Sequence, residues 1–341
     1  MSLVELLVAI GIGTLIVAAM ALLFANNSRS RSETERASRK IENGRYALEV
    51  LRGELYHAGY LAELDPQGLA MPAAKPDPCA TDLASLRSAL GVYIQGYDNM
   101  AATTLSCLTD VKVGTDAVVI RRASACTVLN PATAGCTSLA ANAPAFQVSS
   151  CGGPLELGSA DKTAHYKLDT ATSNLTLTKR DCTAAAGVRR YVLRIYYVAN
   201  NDVAGDGIPT LKYRELGAGA FNAAVSLVQG VENLQLEYGM DTDANGDADV
   251  YTADPDLYLA CNTTTTPTCV GHWTSVVSTK VFLLSRSVDP SPGHNDTNTY
   301  VLGRKANGDA NSFTGVPTGY KRKVFQEVVR LQNPSGRRFT P

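Results

Sequence analysis

The chain opens with a segment that strongly limits the folds it can adopt. From Leu6 to Ser28 no residue is charged, and most residues up to Phe24 are apolar. About 20 such residues are enough for a helix to cross the hydrocarbon core of a bilayer. A secretory signal peptide would carry basic residues before a shorter apolar run, and a buried core helix is seldom so long and uncharged. The segment therefore predicts a membrane-compatible helix.

Glu5 is the one charged residue at the entry of this segment. A carboxylate in hydrocarbon is costly unless it is neutralised or paired, so an ionisable residue here is a functional candidate. Two simpler interpretations remain open. Glu5 could be solvated at the headgroup level, or it could complement the positive end of the helix dipole.

The helical pattern continues beyond the uncharged run but becomes amphipathic. Apolar or small residues recur at spacings of three and four, which is one face of a helix; they are Ala37, Ile41, Gly44, Leu48, Leu51, Leu55 and Ala58. We expect the helix to end at Gly59. A continuous helix over residues 2–58 would be about 85 Å long. We expect residues 1–28 to lie in a membrane or filament core and residues 29–58 to dock on a head formed by residues 59–341.

Eight cysteines without zinc-type spacing indicate disulfides, which persist outside the reducing cytosol. Arg29 and Arg31, however, follow the apolar run directly. By the positive-inside rule, they would place the C-terminal end of that run in the cytoplasm. A basic leader that once preceded Met1 and was removed would resolve this conflict. We therefore expect the numbering to begin at a processed N-terminus, although an engineered truncation would give the same sequence.

Sequence spacing favours four pairings among the cysteines, although eight cysteines allow 105 arrangements. The nearest neighbours are Cys126–Cys136 and Cys261–Cys269, which leaves Cys79–Cys107 and Cys151–Cys182. Each bond would add about 2–4 kcal/mol by restricting the unfolded chain. A redox-active pair is the alternative, but the sequence has no Cys-x-x-Cys motif.

One polar cluster has the spacing of a calcium loop. Oxygen-bearing side chains alternate around Gly246, at Asp241, Asp243, Asn245, Asp247 and Asp249. Asp-rich loops wrap Ca²⁺ with this spacing, and the glycine permits the sharp turn. An EF-hand would have glutamate where this chain has Thr252, so we expect Asp249, or a later acid such as Asp254, to complete the shell. The simpler interpretation is an acidic hairpin turn.

The rest of the chain predicts an α+β fold. Residues 189–198, 225–238, 276–288 and 321–331 have the composition of strands. Two to four antiparallel strands packed against the helix would form the head. Residues 62–78 and 289–319 are expected to be irregular connections.

Composition and motifs argue against two classes of function. The balance of 31 basic and 32 acidic residues lacks the positive charge of a nucleic-acid-binding protein. Serine-hydrolase, zinc-protease and phosphate-loop motifs do not occur. The four histidines are scattered, and Trp273 is expected to pack against the sheet rather than bind a ligand. We therefore expect no enzyme and no nucleic-acid partner.

Residues 1–10, Met-Ser-Leu-Val-Glu-Leu-Leu-Val-Ala-Ile, resemble the mature start of a type IV pilin, with Glu5 at the family's glutamate position. The resemblance implies cleavage by a prepilin peptidase and methylation of the Met1 amine. It also implies that Glu5 pairs with the N-terminal amine of an adjacent subunit. Met1 departs from the usual phenylalanine, and Leu22 stands near the position where many major pilins have proline.

A second block, Ile41-Glu42-Asn43-Gly44-Arg45-Tyr46-Ala47-Leu48-Glu49 followed by Ala58-Gly59-Tyr60, is similar to PilW-type minor pilins. Further similar segments are residues 116–122, 211–216, 238–243, 322–325 and 330–333. This resemblance implies a minor pilin in a complex that primes pilus assembly, with other minor pilins, the major pilin and a tip adhesin as partners and with roles in motility and adhesion.

The same resemblance implies where the chain resides. The helix would lie in the inner membrane with a periplasmic head before assembly, and in the cell-surface pilus afterwards. Two alternatives remain open, namely an adhesive or ligand-binding tip module and a type II secretion pseudopilin.

Overall fold

The computed structural model describes residues 2–66, 68–128, 136, 138–260 and 267–338. Its longest element is helix α1, Leu3–Tyr56, which has 54 residues. A capping box starts this helix: the Ser2 hydroxyl accepts the Val4 N–H, and the Glu5 carboxylate accepts the Ser2 N–H. The predicted continuous helix is confirmed.

Three shorter helices follow, and they are α2 (Leu83–Ser88), α3 (Pro267–Thr274) and α4 (Gln332–Arg338). Short 3₁₀ segments cover Lys162–His165, Thr172–Asn174 and Pro255–Ala260. The last of these is kinked at Tyr258 and Leu259, where the backbone is not helical.

The larger sheet has seven antiparallel strands, and it contains β1 (Ile94–Tyr97), β2 (Ala117–Thr127), β3 (Ala145–Val148), β4 (Tyr166–Asp169), β5 (Val188–Ala199), β6 (Thr210–Glu215) and β7 (Val225–Gln229). Its order is β1-β2-β5-β3-β4, and β6 pairs with both β5 and β7. Strand β5 is the centre of the sheet, because β3 pairs with its first residues and β6 with its last ones.

A four-stranded antiparallel sheet forms the other side of the head, with β8 (Val231–Met240), β9 (Val250–Thr252), β10 (Val276–Arg286) and β13 (Arg322–Arg330). Its order is β13-β10-β8-β9. A separate hairpin consists of β11 (Thr299–Arg304) and β12 (Ala310–Thr314). The α+β fold is confirmed.

The prediction of two to four strands against the helix is confirmed, because α1 contacts β7, β8, β10 and β13. The head is larger than these strands, however, since the described residues form thirteen strands in all. Two further details of the predicted head are wrong. Residues 225–238 divide between two sheets, because Gly230 has a φ of +76° and a Cβ there would lie 2.6 Å from the Arg286 carbonyl. Residues 289–319 contain the β11–β12 hairpin rather than only irregular chain.

Two apolar cores lie on opposite faces of the seven-stranded sheet. Val118 and Ile120 of β2 face the core shared with α1 and the four-stranded sheet, whereas Val119 faces a second core that includes Leu86 and Phe146. The predicted helical stripe enters the first core, where its members Gly44, Leu51, Leu55 and Ala58 are buried together with Ala47. Trp273 is fully buried there, in agreement with its predicted packing role.

Three of the predicted disulfides are present, namely Cys79–Cys107, Cys126–Cys136 and Cys151–Cys182. The fourth predicted pair includes Cys261, which lies outside the described residues. None of the described cysteines is free.

Asp116 joins the two sheets. Its backbone N–H donates to the Leu234 carbonyl at 2.9 Å, and its carboxylate accepts the N–H groups of Leu236 at 2.7 Å and Asn99 at 2.9 Å. Burial raises the pKa of Asp116 well above its usual range, and the nearby Asp98 carboxylate raises it further. Burial also raises the pKa of Asp98. At this junction, therefore, a negative charge on one of the two carboxyl groups disfavours ionisation of the other.

We expect Gly44→Ala to destabilise the docked helix by about 1–3 kcal/mol, the usual range for overpacking. A Cβ at Gly44 would lie 2.2 Å from the Phe325 ring. Gly53→Ala is the matched control, because a Cβ there meets nothing within 4 Å and alanine is favoured over glycine in helices by about 0.5–1 kcal/mol. Thermal unfolding of the full chain in detergent measures both effects. Equal loss of stability in the two variants would contradict tight docking at Gly44.

The Asp98–Asp116 junction predicts a pH effect. A carboxyl group whose pKa is raised by folding contributes stability that is lost as the pH rises above its unfolded pKa, about 3.9, towards its folded pKa. Asp98→Asn removes one of the two charges, so the variant should gain stability over the wild type progressively as the pH rises. Denaturant unfolding at a series of pH values tests this. A stability difference that does not change with pH would contradict it.

Candidate functional site

The first half of α1 stands free of the head. Every residue from Ser2 to Arg31 is exposed, including large apolar side chains such as Leu15 and Phe24. Within the described part of the chain, α1 alone is long and apolar enough to cross a membrane, by length and composition. This arrangement fits membrane anchoring.

Contacts with the head begin at Glu33. Its carboxylate pairs with Lys321 at 2.5 Å and accepts the Ser291 hydroxyl at 2.9 Å. At the other end of the docked segment, Glu54 pairs with Arg194 at 2.6 Å and with Arg122 at 3.4 Å. Ion pairs therefore flank the buried apolar stripe and fix the second half of α1 on the head.

Glu5 lies at the exposed start of α1. Its Oε2 atom accepts the Ser2 N–H at 2.8 Å, so the carboxylate satisfies a backbone donor of the first helical turn. Met1, the other predicted assembly residue, lies outside the described residues. The pairing of Glu5 with a neighbouring amine therefore stays a prediction.

The acidic loop between β8 and β9 brings three of its predicted carboxylates together. Each of Asp241, Asp243 and Asp249 offers an oxygen atom that lies within 4.8 Å of the others. Asp241 is buried, whereas Asp243 and Asp249 are exposed. Three carboxylates around a glycine turn form the kind of oxygen-rich site that Ca²⁺ prefers.

Local hydrogen bonds favour the ionised forms of Asp241 and Asp249. Burial opposes the charge of Asp241, but N–H groups of Gly246 and Ala244 and the Arg338 guanidinium outweigh it and lower the pKa of Asp241. The N–H and hydroxyl groups of Thr242 lower the pKa of Asp249. The carboxylates of Asp241 and Asp249 are therefore negative at neutral pH, as a cation site requires.

The other predicted ligands lie differently. The Asp247 side chain is 79% exposed and lies 3.5 Å from Arg330, and it is not grouped with the three clustered carboxylates. Asn245 donates from Nδ2 to Asp243 and accepts the Asp247 N–H at Oδ1. Asp254 accepts the Asp256 N–H and is not grouped with the three clustered carboxylates.

Helix α4 contributes two residues that the sequence analysis missed. Arg338 Nη1 lies 3.4 Å from Asp241 Oδ2 and donates to the Asp241 carbonyl at 3.2 Å. The Ser335 hydroxyl donates to the Gly246 carbonyl at 2.6 Å. These residues lie about ninety positions beyond the loop, and no spacing rule connects them to it.

The structure is thus that of a protein with an antiparallel β-rich head on one long N-terminal helix. The free half of this helix can serve as an anchor. Residues 195–333, fewer than half of the 341 residues, match the family model described as type IV pilus-assembly protein W, PilW. The match begins within β5 at residue 195 and runs to the start of α4, and it supports a type IV pilus-related family and a role in pilus assembly. No curated protein and no solved structure matches the chain.

Proposed function

We propose that this chain is a structural minor pilin, without catalytic activity, that enters a type IV pilus through α1. The observation that carries the proposal is the division of one continuous helix into a free apolar half and a docked half. The free half, residues 2–31, is about 45 Å long at 1.5 Å per residue, which exceeds the roughly 30 Å core of a bilayer. The same surface can pack against other helices when the subunit leaves the membrane.

The partners follow from this proposal. Other minor pilins and the major pilin would contact α1 in a priming complex at or near the tip, and a tip adhesin would contact the head. Before assembly the helix would lie in the inner membrane with the head in the periplasm, where disulfides persist. Afterwards the head would be at the cell surface. Methylation of the Met1 amine belongs to the same proposal.

A ligand-binding tip module is the second candidate, and one loop favours it. Leu155 is 86% exposed on the segment whose ends the Cys151–Cys182 bond joins. A large apolar side chain presented on a disulfide-tied loop suits recognition of a surface. Cells with Leu155→Ser should assemble pili normally but lose adhesion if this candidate is correct.

We expect Glu5→Gln to leave membrane insertion intact and to reduce incorporation into pili at least several-fold. The amide keeps the size of the side chain but removes the charge that would attract a neighbouring N-terminal amine. Glu35→Gln is the matched control, because Glu35 is an exposed residue of the same helix that pairs only with Arg39 among the described residues. Quantifying the subunit in sheared pili and in membranes tests the prediction. Wild-type levels of Glu5→Gln subunits in pili would contradict the proposed pairing.

Calcium binding by the acidic loop is a separate part of the proposal. Asp241, Asp243 and Asp249 would supply carboxylate ligands, with Asn245, backbone carbonyls or water completing six to eight oxygens. Flanking strands rather than helices suit a rigid structural site. Binding to the folded state alone adds about 2.7 kcal/mol at a hundredfold excess of calcium over Kd.

We expect the head to melt at a higher temperature in millimolar calcium than in chelator. Asp243→Asn and Asp249→Asn should each reduce this difference, because each removes a clustered charge. Asp247→Asn is the control and should retain it, since Asp247 lies outside the cluster. Calorimetry should detect one bound ion per chain. Equal melting temperatures in calcium and in chelator, with no heat of binding, would contradict a calcium site and favour the simpler interpretation of an acidic turn.

A further inference from the structure

Strand β13 lies at the end of the four-stranded sheet and pairs with β10 on one side only. Leu331 donates its N–H to the Val277 carbonyl at 2.8 Å, and Ser287 donates its N–H to the Lys321 carbonyl at 2.9 Å. Both pairs fit the register of the strands, in which residues directly opposite alternate between bonded and non-bonded pairs. Odd-numbered residues of β13 therefore bond β10, and even-numbered residues direct their N–H and C=O groups outwards.

The outward backbone groups of Val324, Gln326 and Val328 have no hydrogen-bond partner among the described residues. The Val328 side chain is 59% exposed. Beside this edge is a groove of about 400 Å³ lined by Lys280, Phe282, Gln326, Glu327 and Val328. An open row of backbone donors and acceptors thus adjoins a groove that can receive side chains.

On the edge strands of the seven-stranded sheet, by comparison, side chains bond outward carbonyls. Lys75 Nζ donates to the outward carbonyl of Gly96 in β1 at 2.9 Å, and Arg87 Nε donates to that of Leu168 in β4 at 3.0 Å. On β7, Asn43 Nδ2 donates to the Gln229 carbonyl at 3.0 Å. Uncovered strand edges are sites of unwanted pairing, and proteins usually cover them. No described side chain makes a comparable hydrogen bond to the outward backbone groups of Val324, Gln326 or Val328 on β13.

We infer that β13 accepts an extended strand from a different protein chain, which adds a fifth strand to the sheet. Main-chain hydrogen bonds to Val324, Gln326 and Val328 would supply affinity, and the groove would select side chains at alternate positions. Because the outer face presents Val324, Val328 and Phe282, the added strand should carry apolar residues on that face.

A second copy of this chain fits the edge poorly. Helix α1 runs alongside β13 in the same direction, since Glu33 pairs with Lys321 and, further along both elements, Arg52 lies 3.8 Å from Glu327. A two-fold pair of β13 strands would be antiparallel and would point the two N-terminal helices in opposite directions. Two chains anchored in one membrane cannot adopt that arrangement. This choice of partner rests on the anchoring in the proposed function.

Photo-crosslinking of the full chain in cells of the source organism tests the inference. The photoreactive residue p-benzoylphenylalanine replaces Gln326 or Val328 in separate variants. Each position should crosslink to a polypeptide other than this chain, and the crosslinked sites should fall on a single extended segment of that partner.

Two substitutions at Val324 then separate strand addition from simple proximity. Val324→Pro removes an outward N–H without removing a bond to β10, and proline is tolerated at such edge positions. Val324→Thr retains the N–H and the branched shape. Adduct yield should fall at least tenfold with proline and remain within about twofold with threonine. Unchanged near-ultraviolet circular dichroism would show that the proline variant folds.

Several results would overturn the inference. They are equal adduct yields in the proline and threonine variants, adducts with a second copy of this chain, or no adduct at either position. The same photoreactive residue at Phe24, on the free half of α1, reports the proposed assembly of the helix separately. Adducts at Phe24 without adducts at β13 would therefore reject strand addition while leaving the proposed function intact.

Discussion

The docking of α1 on the head is the constraint on which the rest of the structure depends. One continuous helix serves two environments, and the change occurs between Arg31 and Glu33, where the first ion pair with the head begins. Beyond it, Gly44 lets the helix approach Phe325 closely, because any larger residue would overlap the ring. The head is therefore held at a fixed position along the helix, and a force on the free half is transmitted to the sheets.

A buried ionic cluster completes the side of the head nearest to the free helix. Arg322 donates to both Glu232 and Asp296, and the side chains of all three residues are almost fully buried. Asp296 also accepts the Tyr300 hydroxyl, so the cluster fastens the β11–β12 hairpin to the four-stranded sheet. Removing one partner of such a pair typically costs about 3–5 kcal/mol, because the other charge stays buried. The hairpin is consequently part of the head rather than a mobile appendage.

The sequence predicted the features that depend on local pattern. The helix, its buried stripe and three disulfides are confirmed because periodicity and spacing report them directly. The division at Gly230 was missed, since a strand-like composition continues through a glycine whose positive φ only the tertiary structure requires. The same limit explains the missed partners of the acidic loop. Arg338 and Ser335 reach it only because α4 follows β13, and the sequence alone does not show where that strand ends in space.

Arg338 also changes what the acidic loop needs in order to be ordered. A loop with three clustered carboxylates would repel itself if it had no counter-charge. Here a guanidinium lies 3.4 Å from Asp241, and four N–H or hydroxyl groups bond the carboxylates of Asp241 and Asp249. The loop therefore has internal partners for its charge, and its order does not depend on a cation alone. A bound calcium ion would share Asp241 with Arg338. The stabilisation that calcium adds is therefore the difference in free energy between the loop neutralised by its internal partners and the loop neutralised by the ion.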